Sequence, residues 1–142
     1  AMSQSPMTDN LPGIYFFEPA EKAAVDAWAA HRGLRLLYIN LTGLTDAKSV
    51  LRKIGKDLSF PSWYGSNFDA LFDCLSDPDN IPDQACLLTI SGINSFQLAA
   101  PEAFSTLIEV FDAAVTTQSD AGPALLIAIE GQAQGISRLF PA

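Results

Sequence analysis

Two runs, ACLLTI (Ala85–Ile90) and ALLIAI (Ala124–Ile129), are apolar almost without interruption. A strand with one wet face alternates apolar and polar residues, whereas a parallel strand covered on both faces does not. The two runs therefore predict buried parallel strands, and parallel strands need a crossover between them. The segment from Pro101 to about Thr117 supplies it. Phe104, Leu107, Ile108, Phe111 and Val115 recur at i, i+3, i+4, i+7 and i+11, the stripe of an amphipathic helix, and Pro101 suits its first turn. A short turn or helix around 96–99 precedes it.

The same reading continues upstream. GIYFFEP predicts a short strand, Pro19 opens a helix running through Trp28 to about Arg32, and Leu34–Leu41 is a second apolar strand. Thr45 and Asp46 start a helix whose Val50, Leu51, Ile54 and Leu58 keep one face. Alternating strands and helices indicate an α/β domain with a small, mostly parallel sheet. A length of 142 residues suits one domain. We place it at residues 11–130, with 11–33 as its first strand–helix unit, a polar tail at 1–10 and a loose tail at 131–142. The polar start lacks the basic and apolar regions of a signal peptide, and no run of about 18 apolar residues occurs. A cytoplasmic protein is the expectation. In that setting Cys74 and Cys86, both inside apolar stretches, read as buried free thiols.

Charge is distributed unevenly. Lys22, Arg32, Arg35, Lys48, Arg52, Lys53 and Lys56 precede position 57, and the next basic residue is Arg138. Between them lie eleven acids: Asp57, Asp69, Asp73, Asp77, Asp79, Asp83, Glu102, Glu109, Asp112, Asp120 and Glu130. Such a block repels nucleic acid and anionic lipid and steers toward a basic surface. An acidic solubilising face is the plain alternative.

Within this block stands SWYGSNFDALFDCL, residues 62–75. Ser66 followed three residues later by Asp69 has the form of a capping box, and Gly65 reads as a turn glycine with positive φ. From that start Phe68, Leu71, Phe72 and Leu75 form a buried face. Asp69, Asp73 and, in a longer helix, Asp77 form an adjoining stripe, with Phe72 at the seam. Like charges at i, i+4 cost roughly 0.2–0.5 kcal/mol. The helix N-terminus accounts for Asp69, less well for Asp73 and not for Asp77. Trp63 and Tyr64 fit either a packed sheet edge or a contact surface.

Nothing in the chain supports catalysis. Two exposed aspartates on one stripe offer no split in pKa. His31 sits at the end of an Ala-rich helix, and nucleophile-elbow, dinucleotide, Walker and clustered His/Cys patterns are missing from the sequence. The aspartates of SDPDNIPD lack EF-hand spacing. We therefore expect no enzyme, no metal and no cofactor.

FPSWYGSNFDALFDCLSD closely resembles the helix motif of the barstar family, whose usual form is Pro-x-Tyr-Tyr-Gly-x-Asn-x-Asp-Ala-Leu-Trp-Asp-Cys-Leu. Pro61, Tyr64, Gly65, Asn67, Asp69, Ala70, Leu71, Asp73, Cys74 and Leu75 match position for position. The order of flanking elements agrees over about Leu34–Glu130. The resemblance implies a barstar-like fold of three parallel strands packed with helices, or four if residues 11–33 extend the sheet. It also implies an intracellular inhibitor, an immunity protein or the antitoxin of a toxin pair, binding a basic ribonuclease one-to-one as a monomer. Asp73 would then be the central mimic of an RNA phosphate and Asp69 a second acidic contact. Trp63 stands where the family has a contacting tyrosine and Phe72 where it has a tryptophan, while Gly65 and Asn67 shape the loop. On the long helix Ala113 and Thr117 stand where family members add glutamates, leaving Asp112 or Glu109 as candidates to compensate. The competing expectation is an interaction module whose acidic helix docks a basic protein that is not a nuclease.

Overall fold

The structure, a computed structural model, describes residues 12–77, 84–131, 133 and 135–140. The polar start and the acids Asp79 and Asp83 lie outside the described residues. The strands are β1 (Gly13–Phe17), β2 (Arg35–Asn40), β3 (Cys86–Ser91), β4 (Leu125–Glu130) and β5 (Ser137–Arg138). The helices are α1 (Lys22–His31), α2 (Ala47–Asp57), α3 (Phe68–Ser76), α4 (Asn94–Ala99) and α5 (Pro101–Ala121). All strand pairings are parallel, in the order β2-β3-β4-β1-β5.

The two apolar runs occupy the interior positions β3 and β4, and their alternate residues serve two different cores. Cys86, Leu88, Ile90, Leu125, Ile127 and Ile129 face a core shared with Val50, Leu51 and Ile54 of α2, Leu71 and Leu75 of α3, and Leu107 and Phe111 of α5. Leu87, Leu126 and Ala128 face the other way, onto Val25 and Ala29 of α1, Phe17, Leu34 and Leu139. Both faces being covered, a polar side chain at either parity would be desolvated, which is why the runs show no alternation.

The described part of the first strand–helix unit, residues 12–33, thus does two things. β1 pairs with β4, and α1 closes the second face of the sheet, where the rings of Trp28 and Phe140 meet edge to face at 6.3 Å. The helix expected from Pro19 begins as a 3₁₀ turn, Pro19–Glu21, with the Glu18 backbone N–H donating to the Glu21 carboxylate at 2.8 Å.

The sheet has five strands rather than three or four, and the expected loose tail supplies one of them. Ser137 and Arg138 pair with Tyr15 and Phe16, the Leu139 N–H donates to the Phe16 carbonyl at 2.8 Å, and the Leu139 side chain is fully buried. Two exposed polar residues carry no hydrophobic pattern to read, and a pairing this short is fixed by the edge it protects and the leucine that anchors it. α5 also runs further than its stripe indicated, to Ala121, because Ala114 and Gln118 are buried as well. Cys74 and Cys86 are free and buried. Among the described residues no helix is long and apolar enough to cross a membrane.

Candidate functional site

The motif segment leaves α2 and returns as α3 through a loop fastened to α2. Tyr64 is the main fastener. Its hydroxyl donates to the Leu51 carbonyl at 2.6 Å, and its ring meets Phe60 edge to face at 5.1 Å. It packs over Gly55, where a Cβ would lie 2.6 Å from Tyr64 Cδ2. Burial, and secondarily the thiol of Cys74, pushes the Tyr64 hydroxyl well above its usual pKa, so it stays a donor. Lys48 adds a second tie, its Nζ donating to the Gly65 carbonyl at 3.2 Å. Between these ties Trp63 remains 55% exposed. The structure thus separates the paired aromatics: Tyr64 is half-buried and supports the loop, whereas Trp63 is offered to solvent.

The helix start differs by one residue from the expected one. Asn67, not Ser66, is the N-cap, its Oδ1 accepting from the Ala70 N–H at 2.8 Å. Ser66 takes the left-handed conformation, with φ of 53°, that had been expected of Gly65. Gly65 has no such φ, and a Cβ there would lie 2.9 Å from Asn67 Nδ2 and press on the capping side chain.

On α3 the buried residues are Ala70, Leu71, Cys74 and Leu75. The inward face is thus turned from the expected one, toward the small residues, which let the helix lie close to its neighbours. Phe68 and Phe72 are left half-buried on the flank, with Asp69 and Asp73 exposed. α3 packs mainly on α5, and a groove of about 480 Å³ runs between them, lined by Phe68, Asp69, Phe72, Asp73, Glu109, Val110 and Ala113. Glu109 therefore shares the groove with both aspartates.

Asp112 does not; it borders a second depression with Ile14, Ile108, Glu109 and residues 135–137. Three residues along a helix leave a side chain roughly 60° around the axis and about 4.5 Å further along it, and here that offset carries Asp112 off the groove. Asp77 is also set apart, as the extended residue that ends α3. Among the described residues no cation pairs with Asp69, Asp73, Glu109 or Asp112.

This groove has the chemistry of a receptor for cations. Three carboxylates border an apolar floor, and the fixed aromatics give purchase for the stems of long basic side chains. Burial first, then the charges of Asp73 and Asp77, raise the pKa of the buried Cys74 thiol, which favours the neutral form over the thiolate. Among the described residues no cluster of His, Cys, Asp and Glu is placed to hold a metal. Glu109 was the residue that sequence reasoning placed least well, since on a wheel it differs little in exposure from Asp112. Only the packing of α5 on α3 separates them.

One comparison bears on these features. A family model described as Barstar (barnase inhibitor) matches residues 34–130, which span β2 to β4 and include α2, α3, α4 and α5. No curated protein matches the chain.

Proposed function

The chain belongs to the barstar family, and from that premise we propose that it binds a basic ribonuclease and closes its active site with the groove between α3 and α5. Asp73 is the central mimic of an RNA phosphate and Asp69 and Glu109 flank it. Trp63 and Phe72 supply the apolar contact, and Gly65, Asn67 and Tyr64 hold the loop in shape. The observation that carries this reading is the convergence of Asp69, Asp73 and Glu109 on one groove, with no cation of the described chain paired to them and with Trp63 exposed on the loop that leads into α3. A ribonuclease active site must hold a polyanion, so its cations complement such a groove, and clustered charge of one sign raises the association rate. The partner is a protein rather than nucleic acid or membrane, and the complex is one-to-one. A cytoplasmic immunity protein or antitoxin is the setting that fits.

Titration of barnase and a panel of small basic ribonucleases tests the proposal. Stoichiometric loss of RNA cleavage is expected for at least one enzyme, and Asp73→Lys should abolish it. Cleavage unchanged at micromolar excess across the panel would overturn the proposal. Inhibition that survives Asp73→Lys, with loss of a different basic partner, would favour the non-inhibitory module instead.

A further inference from the structure

We infer that the second depression, next to the α3–α5 groove, is an auxiliary docking site for the same ribonuclease, receiving a lysine or arginine from outside its active site. The inference rests on the inhibitory reading and extends it to partner choice. The depression measures about 290 Å³ and has two components. Ile14, Ile108 and Ile136, each half-buried, make an apolar floor, and Glu109 and Asp112, both exposed, stand at its border. That combination fits a long basic side chain, whose methylenes cover apolar surface while its head meets carboxylate. An isolated acidic cluster would offer no such floor, and a wholly apolar groove would not select a cation.

Two observations name the occupant. Glu109 borders both depressions, so the surface is continuous with the proposed inhibitory groove, and a ribonuclease seated on Asp73 would overhang it. The sign of the charge is also the same, so both grooves suit one basic partner. The construction differs, however. Ile14 comes from β1, and Ile136 from the turn before β5, and both lie outside the matched span 34–130. The first groove is built within the family span. The second is closed by this chain's own additions at either end, so it discriminates among ribonucleases whose active sites are alike but whose flanks differ.

The test compares Asp112→Lys with Asp120→Lys, the same charge change at an exposed position of α5 that borders neither depression, and with Asp73→Lys. For whichever enzyme of the panel the unsubstituted protein inhibits best, dissociation and association rates are measured by stopped flow. Asp112→Lys should speed dissociation at least tenfold, whereas Asp120→Lys should act on association, leaving dissociation within twofold. A contact at the interface shows in the dissociation rate, and a remote charge shows mainly in association and its salt dependence. Ile136→Ala should also speed dissociation, checked against an unchanged circular dichroism spectrum. If Asp112→Lys and Asp120→Lys behave alike while Asp73→Lys abolishes inhibition, the auxiliary site is refuted and the inhibitory groove stands. If the unsubstituted protein inhibits no enzyme of the panel, both fall together.

Discussion

Gly55 stands inside α2, where exchange for alanine ordinarily stabilises a helix by about 0.8–1 kcal/mol. Here the sign should reverse. An added Cβ would lie 2.6 Å from Tyr64 Cδ2, well inside van der Waals contact. The ring has little freedom to retreat, because its hydroxyl is bonded to the Leu51 carbonyl at 2.6 Å and Phe60 lies against it. Forcing a methyl group into such packing costs about 1–3 kcal/mol. If the ring swings away, the lost hydrogen bond adds about 0.5–1.5 kcal/mol. Subtracting the helix gain leaves Gly55→Ala destabilising by up to about 2 kcal/mol if the hydrogen bond survives, and by about 0.5–3.5 kcal/mol if it is lost. Urea unfolding followed by far-ultraviolet circular dichroism measures it, and the decisive comparison is a double-mutant cycle. With Tyr64→Ala already in place the ring is gone, so Gly55→Ala should there be stabilising, by about its intrinsic helix preference. The moved ring should also disturb Trp63 and Gly65, weakening inhibition beyond what the stability loss explains. A Gly55→Ala protein more stable than the original would refute the view that this glycine exists to seat the tyrosine.

Other outcomes follow from single features. Asp73→Asn should leave stability unchanged or higher by a few tenths of a kcal/mol, since it removes a like charge four residues from Asp69, yet it should weaken ribonuclease inhibition. The association rate of the unsubstituted protein should fall as ionic strength rises from 50 to 500 mM, and a flat response would refute charge steering. Leu139→Ala should cost about 2–5 kcal/mol because its side chain is fully buried, whereas a loose tail would show no loss. Alkaline pH should destabilise the fold. Burial raises the Cys86 thiol from its ordinary value of 9.0 to about 11, and Cys74 and Tyr64 are raised too. The unfolded chain therefore sheds protons that the native state retains. The stability these groups contribute is fully present below their unfolded pKa values, about 9 for the thiols, and should be lost as pH climbs toward 11, less steeply in Cys86→Ala.

The sequence made β3, β4 and the helical stripes legible because burial on two faces or on one leaves a direct compositional trace. It made the acidic stripe legible for a different reason: Asp69 and Asp73 violate a local preference without a cation to relieve them. Other features leave no such trace. Ser66 and Asn67 are both good caps, and the choice between them depends on which residue takes the left-handed turn. β5 is two polar residues, readable only once β1 supplies an edge. Whether Phe72 is buried or half-exposed depends on how far α3 rotates toward Ala70 and Cys74, which is settled by the helices around it.

The cost of gathering carboxylates on α3 and α5 is small beside what holds those helices. Leu71, Leu75, Leu107 and Phe111 are fully buried, each contributing on the order of 1.5–3 kcal/mol. A like-charge pair at i, i+4 withdraws only a few tenths. The fold can therefore keep the acids unpaired at little risk. In the proposed complex this matters more for binding than for stability. A carboxylate paired within its own chain would have to be freed before meeting a partner, and one on a mobile loop would lose side-chain entropy on being fixed. Asp69 and Asp73 stand on a packed helix, Glu109 on another packed against it, and the adjoining loop is tied down through Tyr64 and Lys48. In the proposed complex the groove thus meets its cations already ordered. Loosening the loop at Gly55 should weaken inhibition even with every carboxylate in place.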